Sequence, residues 1–183
     1  GHAGLILRRI SPFLLTATAT VWLGAIALTR IEVSVLTALL GFLLVVYGGL
    51  SLVGFRLSIP RHSEGWTGPI LGAVNGILTG MTGSFAVPGV MYLQGIGLSR
   101  DMLIQAMGML FTASTVALGF ALGLNSLLSI HLAVVSLLAV LPALIGVRIG
   151  QSLGRQMSEP QFRSIFFAGI ILLGMYVLAD VMV

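Results

Sequence analysis

Long apolar runs, with charge confined to their margins, set the frame for any fold of this chain. About 20 apolar residues cross a bilayer as one helix. Six such runs can be marked, at residues 10–28, 33–55, 66–97, 102–124, 130–150 and 162–183. Charged residues make up 8% of the chain and hydrophobic ones 57%, whereas a soluble domain carries roughly a quarter charged residues. A surface this poor in charge cannot face water. The sequence therefore predicts an all-α, polytopic membrane protein whose main environment is the lipid bilayer. The one real linker is RLSIPRHSEG, residues 56–65, with Pro60, two arginines, a histidine and a glutamate. It divides a two-segment region, 1–57, from a four-segment region, 66–183, with 58–65 as the connection.

The third run, residues 66–97, is too long for one comfortable span and too short for two. The arginines choose between the options. If the run crosses once, Arg8, Arg9, Arg56 and Arg61 face Arg30, Arg100, Arg148, Arg155 and Arg163, and no orientation results. If it enters and leaves on one side, only Arg30 stands opposite the other eight. Positive loops stay cytoplasmic. The expectation is therefore a re-entrant, glycine-broken hairpin in a multi-pass protein of the inner (plasma) membrane.

The tip of that hairpin is TGMTGSFAVPG, residues 79–89. Irregular backbone is tolerated at membrane depth only where it is buried in protein or lines a watery cavity. Broken helices of this kind form the substrate sites of many transporters. Pro88 withholds an N–H and disfavours helix at Val87. A helix that restarts after such a break turns unpaired N–H groups and a partial positive charge towards the tip, which favours an anion. The expected substrate-binding residues are Thr79, Gly80, Thr82, Gly83, Ser84 and Pro88, with Asn75 and Gln105 as assisting polar side chains. A packing kink without a ligand is the plain alternative, since glycine and proline are frequent in membrane helices.

Glycines recur at every fourth position at Gly68, Gly72, Gly76 and Gly80, and again at Gly146, Gly150 and Gly154. Small residues at this spacing let helix backbones approach closely in lipid, so both ladders read as packing seams. Thr16, Thr18 and Thr20 read as packing too. Thr112, Ser114 and Thr115 are expected to bond their own backbone or a neighbouring helix, and Arg148 to reach the interface.

Several function classes fall away. The nine arginines are scattered singly or in pairs, which serves orientation in a membrane rather than nucleic-acid binding. No cysteine is present, so thiol and thiolate chemistry is excluded. His62 and His131 form no ligand pattern, and no metal site or cofactor is expected. The five acidic residues are dispersed and no nucleotide, zinc-protease or serine-hydrolase motif occurs, so no enzymatic activity is expected.

Residues 72–111, GAVNGILTGMTGSFAVPGVMYLQGIGLSRDMLIQAMGMLF, resemble the opening of a repeat in the TauE/SafE family of sulfite and organosulfonate exporters. Residues 141–178, LPALIGVRIGQSLGRQMSEPQFRSIFFAGIILLGMYVL, resemble the end of that repeat. The resemblance implies a duplicated four-segment unit, of which residues 66–183 supply a complete second copy. The first two segments then correspond to the end of the first copy, whose own broken segment is absent. LLGFLLVVYGGL at 39–50 is a weak echo of FAGIILLGMYVL at 167–178. A hairpin plus three crossings makes the two units inverted, and inverted repeats bind substrate at their interface. The function implied is secondary transport, by resemblance export, of small anions such as sulfite, organosulfonates or carboxylates. Ser84 and Phe85 depart from the denser glycine run of many relatives, which bears on substrate preference. A membrane scaffold or accessory subunit is the alternative reading, and homo-oligomerisation stays open.

Overall fold

The computed structural model describes residues 2–55, 57–154 and 156–182. Among them every regular element is helical: α1 (His2–Leu28), α2 (Val33–Leu52), α3 (Glu64–Thr82), a π-helical turn (Ala86–Val90), α4 (Met91–Gly95), α5 (Arg100–Leu124), α6 (Ile130–Gly154) and α7 (Glu159–Met182). Five of them, α1, α2, α5, α6 and α7, are long and apolar enough to cross a membrane. The third apolar run is the one that breaks, with α3 and α4 on either side of the interruption.

Packing registers give the directions. On α1, Phe13, Ala17 and Val21 lie in turn against Gly72, Gly76 and Gly80 of α3, so these helices run parallel. α5 runs the same way. Its Ala106 and Leu110 share a core with Ile6, Ile10, Phe13 and Ala17, and its Ala121 packs with Val21 and Ala25 further along α1. α2 pairs with α7 in the opposite sense, Gly41 against Gly174 and Gly48 against Phe167 and Ile171.

Past the break the chain turns back along α3. Gly89 meets Asn75, Tyr92 reaches Gly68, and Ile96 shares Arg9 with Glu64 at the first turn of α3. Residues 64–96 thus begin and finish at one end of the bundle. Arg9, Arg61 and Arg100 lie at that end, and Arg30 lies in the turn between α1 and α2 at the other. Arg56 and Arg155, both used in the charge count, fall outside the described residues.

The α3 glycine ladder forms the seam its spacing predicts. A Cβ on Gly24 of α1 would sit 2.7 Å from the Cα of Gly80, and side chains at Gly72 or Gly76 would overlap the α1 backbone. Thr20 closes the seam by donating to the Ala73 carbonyl at 2.9 Å. The second ladder has no such partner at its first two members, and the surroundings of its third, Gly154, lie outside the described residues. Nothing lies within 4 Å of where a Cβ on Gly146 or Gly150 would be. Every residue from 130 to 153 is exposed. Spacing prepares a groove, and no helix among the described residues fills this one.

Candidate substrate site

The break is built from the inside of α3 outwards. Gly83 ends the helix in the left-handed conformation (φ 72°) and donates its N–H to the Thr79 carbonyl at 2.7 Å, a glycine cap that few other residues could form without strain. The Thr79 hydroxyl donates to the Ser84 carbonyl at 3.0 Å. Thr82 donates to the Leu78 carbonyl at 2.7 Å and accepts the Ser84 N–H at 3.2 Å. The hydroxyls of Thr79 and Thr82 therefore hold the tip's own backbone. Val87 is extended (φ −121°, ψ 128°), the conformation that a following proline favours. Helical geometry then resumes and leads into α4.

Asn75 joins the two limbs. Its Oδ1 accepts the Gly89 N–H at 2.9 Å, and the side chain is 0% exposed. Only glycine fits opposite it, because a Cβ at residue 89 would lie 2.5 Å from Asn75 Oδ1 and 3.0 Å from Leu110 Cδ2. The bond also fixes the carboxamide's orientation, since a backbone N–H requires the oxygen and not the nitrogen. Asn75 Nδ2 consequently points elsewhere and has no partner among the described residues. Ser114 Oγ on α5 is buried and unpartnered in the same way. Buried donors without partners are rare, and a groove that binds an oxyanion is one place where they belong.

The expected site residues divide. Asn75, Thr79, Thr82, Gly83, Ser84 and Pro88 lie together along the two limbs of the break. Gly80 faces away from them, against Val21, Gly24 and Ala25 of α1. Gln105 is exposed on α5. Its side chain follows a different face from buried Ala106, Leu110 and Ser114. None of the residues gathered at the break is titratable, so the site can offer hydrogen bonds and little acid–base chemistry.

An ion pair that sequence reading missed joins α1 to the start of α3. Arg9 donates to Glu64 twice, Nε to Oε2 at 2.8 Å and Nη2 to Oε1 at 2.6 Å. The same Nη2 donates to the Ile96 carbonyl at 2.7 Å. One guanidinium thus ties α1, the start of α3 and the end of α4. The hydrogen bond to Arg9 holds the Glu64 carboxyl below the usual carboxylate range. Phe13 and Tyr92 stack just inside it, with ring centroids 4.5 Å apart. Arg9 and Glu64 lie 55 residues apart in the chain, and no local pattern announces their pairing.

A family model described as sulfite exporter TauE/SafE matches residues 2–177. No curated protein and no solved structure matches the chain.

Proposed function

The chain belongs to the sulfite exporter TauE/SafE family, and from that premise we propose that it is a secondary transporter that exports small anions across the inner membrane. Sulfite, organosulfonates and small carboxylates are the substrates that suit a pocket of neutral donors. The observation that carries this reading is Asn75. Its oxygen is committed to Gly89 across the break, which leaves its amide nitrogen buried and available. Thr79, Thr82, Gly83 and Pro88 shape the backbone around it, and Ser84 lines the turn.

In this reading residues 64–96 form a re-entrant hairpin. They contact the bundle from one end and return to it, and α3 is not among the five helices fit to cross. We read residues 66–183 as a four-part unit of hairpin and three crossings, and residues 1–57 as matching the last two parts of such a unit in inverted orientation. The antiparallel contact of α2 with α7 supports inversion: Gly41 meets Gly174 and Leu178, and Gly174 meets Gly41 and Val45. An inside-negative potential drives anions outward at about 2.3 kcal/mol per charge per 100 mV, so export needs no dedicated proton carrier.

The test is sulfite flux in proteoliposomes with the wild type and Asn75→Ala. Saturable wild-type flux that falls at least about tenfold in a variant with unchanged elution and helicity supports the carrier. Full flux in Asn75→Ala would remove the break as its site.

A further inference from the structure

We propose that Ser114 of α5 is the second donor of this site, and that the Asn75–Ser114 pair selects singly charged oxyanions over doubly charged ones. The proposal rests on the carrier reading and adds a residue and a charge rule to it.

The buried polar residues are few: Asn75, Thr79 and Ser114 are each 0% exposed. Register brings all three to one place. A Cβ at Gly89 would touch both Asn75 and Leu110, so Leu110 flanks the Asn75 carboxamide. Ser114 is one turn beyond Leu110 on the same buried face of α5. α5 runs parallel to α3, and Thr79 is one turn beyond Asn75. Ser114 therefore stands near the level of Thr79, on the buried face of α5.

Ser114 is the one buried side-chain hydroxyl without a partner among the described residues, whereas several threonines are satisfied along their own helices. Thr16, Thr18, Thr37, Thr67 and Thr82 each donate to the carbonyl four residues earlier. That is the ordinary resting place of a hydroxyl in an apolar helix. Ser114 makes no such bond, and Asn75 Nδ2 makes none either. Two buried donors on parallel helices are thus left without partners among the described residues. Thr79 is not a third, because its hydroxyl is given to Ser84.

Charge selection follows from what is missing around the pair. Arg9 is neutralised by Glu64 at the start of α3. Arg30, Arg61 and Arg100 lie at helix ends, and Arg163 bonds the Ser51 carbonyl between α2 and α7. No described cation stands beside the pair. The cost of desolvating an ion grows as the square of its charge, so a dianion costs about four times a monoanion. Two neutral donors can offset the smaller cost and not the larger. The Leu110 wall beside them suits an anion with an apolar tail, as in an organosulfonate.

The experiment measures sulfite and methanesulfonate flux in proteoliposomes at fixed total concentration across pH, with sulfate as competitor. Sulfite flux should fall as hydrogensulfite loses its proton, while methanesulfonate flux, whose charge is constant, stays level. Sulfate should compete at least about tenfold more weakly than methanesulfonate. Ser114→Ala should raise KM about tenfold with folding unchanged. Ser114→Thr should restore most of the loss, and Thr115→Ala, at the exposed neighbour, should change nothing. Sulfite flux that rises with pH, or equal competition by sulfate, overturns the charge rule. A wild-type KM in Ser114→Ala overturns the residue assignment. Absence of flux for every anion in the wild type refutes the carrier reading itself, and this inference with it.

Discussion

The ladder of Gly68, Gly72, Gly76 and Gly80 and the one containing Gly146 and Gly150 have the same spacing and opposite fates. On α3 the glycines receive the backbone of α1 so closely that a methyl group would not fit. On α6 they face open space. The difference lies in the partner. α1 presents Ala17, Val21, Gly24 and Ala25 to α3, and Thr20 adds a hydrogen bond across the seam. In lipid there is little hydrophobic drive between helices, so close packing and hydrogen bonds must supply the association. A glycine ladder is thus half of an interface.

The comparison can be broken most severely at Gly76→Leu. The new side chain would enter the α1 backbone, and a cost of at least about 3 kcal/mol is expected. Fluorescence-detected size exclusion should show loss of the monodisperse protein. A normal peak would mean that the α1–α3 seam is not what holds the broken helix.

Glu64→Gln comes next, at about 2 kcal/mol, because Arg9 loses its charged partner at a part-buried site. Thermal unfolding in detergent should register it as a lower Tm at neutral pH. Acidification supplies a second reading. The folded-state pKa of Glu64 is lowered, so its contribution is present above the unfolded carboxylate value and is lost as pH falls through the folded one. The wild type should converge on the variant in acid. A wild type that stays equally superior there would assign the stability to something other than this ion pair.

Thr82→Val should cost about 1 kcal/mol, since the Ser84 N–H loses its acceptor at the tip. Faster hydrogen exchange confined to residues 82–88 is the expected signature, and exchange unchanged there would show that the Thr82 hydroxyl does not brace the turn. Gly150→Leu sharpens the comparison from the quiet side. It should change the stability of this chain by less than about 0.5 kcal/mol. A loss as large as that of Gly76→Leu would reveal a partner seated on α6.

The helical membrane character, the segment order and the position of the break were legible in the sequence. Each depends on local properties, namely apolar run length and the backbone limits of Gly83 and Pro88. The candidate site was legible in part. The interruption falls within residues 79–89, although 79–82 stay in α3 and the irregular backbone begins at Gly83; Thr79 and Thr82 give the tip's own backbone the hydroxyls that the sequence offers as donors. Ser114 was expected to bond its own backbone or a neighbouring helix, and it stands unpartnered. Gln105, polar and close to the break in sequence, is exposed.

By itself, then, the sequence determined that this chain is a bundle of apolar helices with one interrupted segment, because desolvation and backbone geometry act residue by residue. Only the tertiary structure decided that Asn75 would give its oxygen to Gly89 and keep its nitrogen free, that Arg9 would meet Glu64, and that one glycine ladder would close while the other stayed open. Each of those outcomes needs two groups from distant stretches of chain to arrive at hydrogen-bond or van der Waals distance, and no local pattern encodes that meeting.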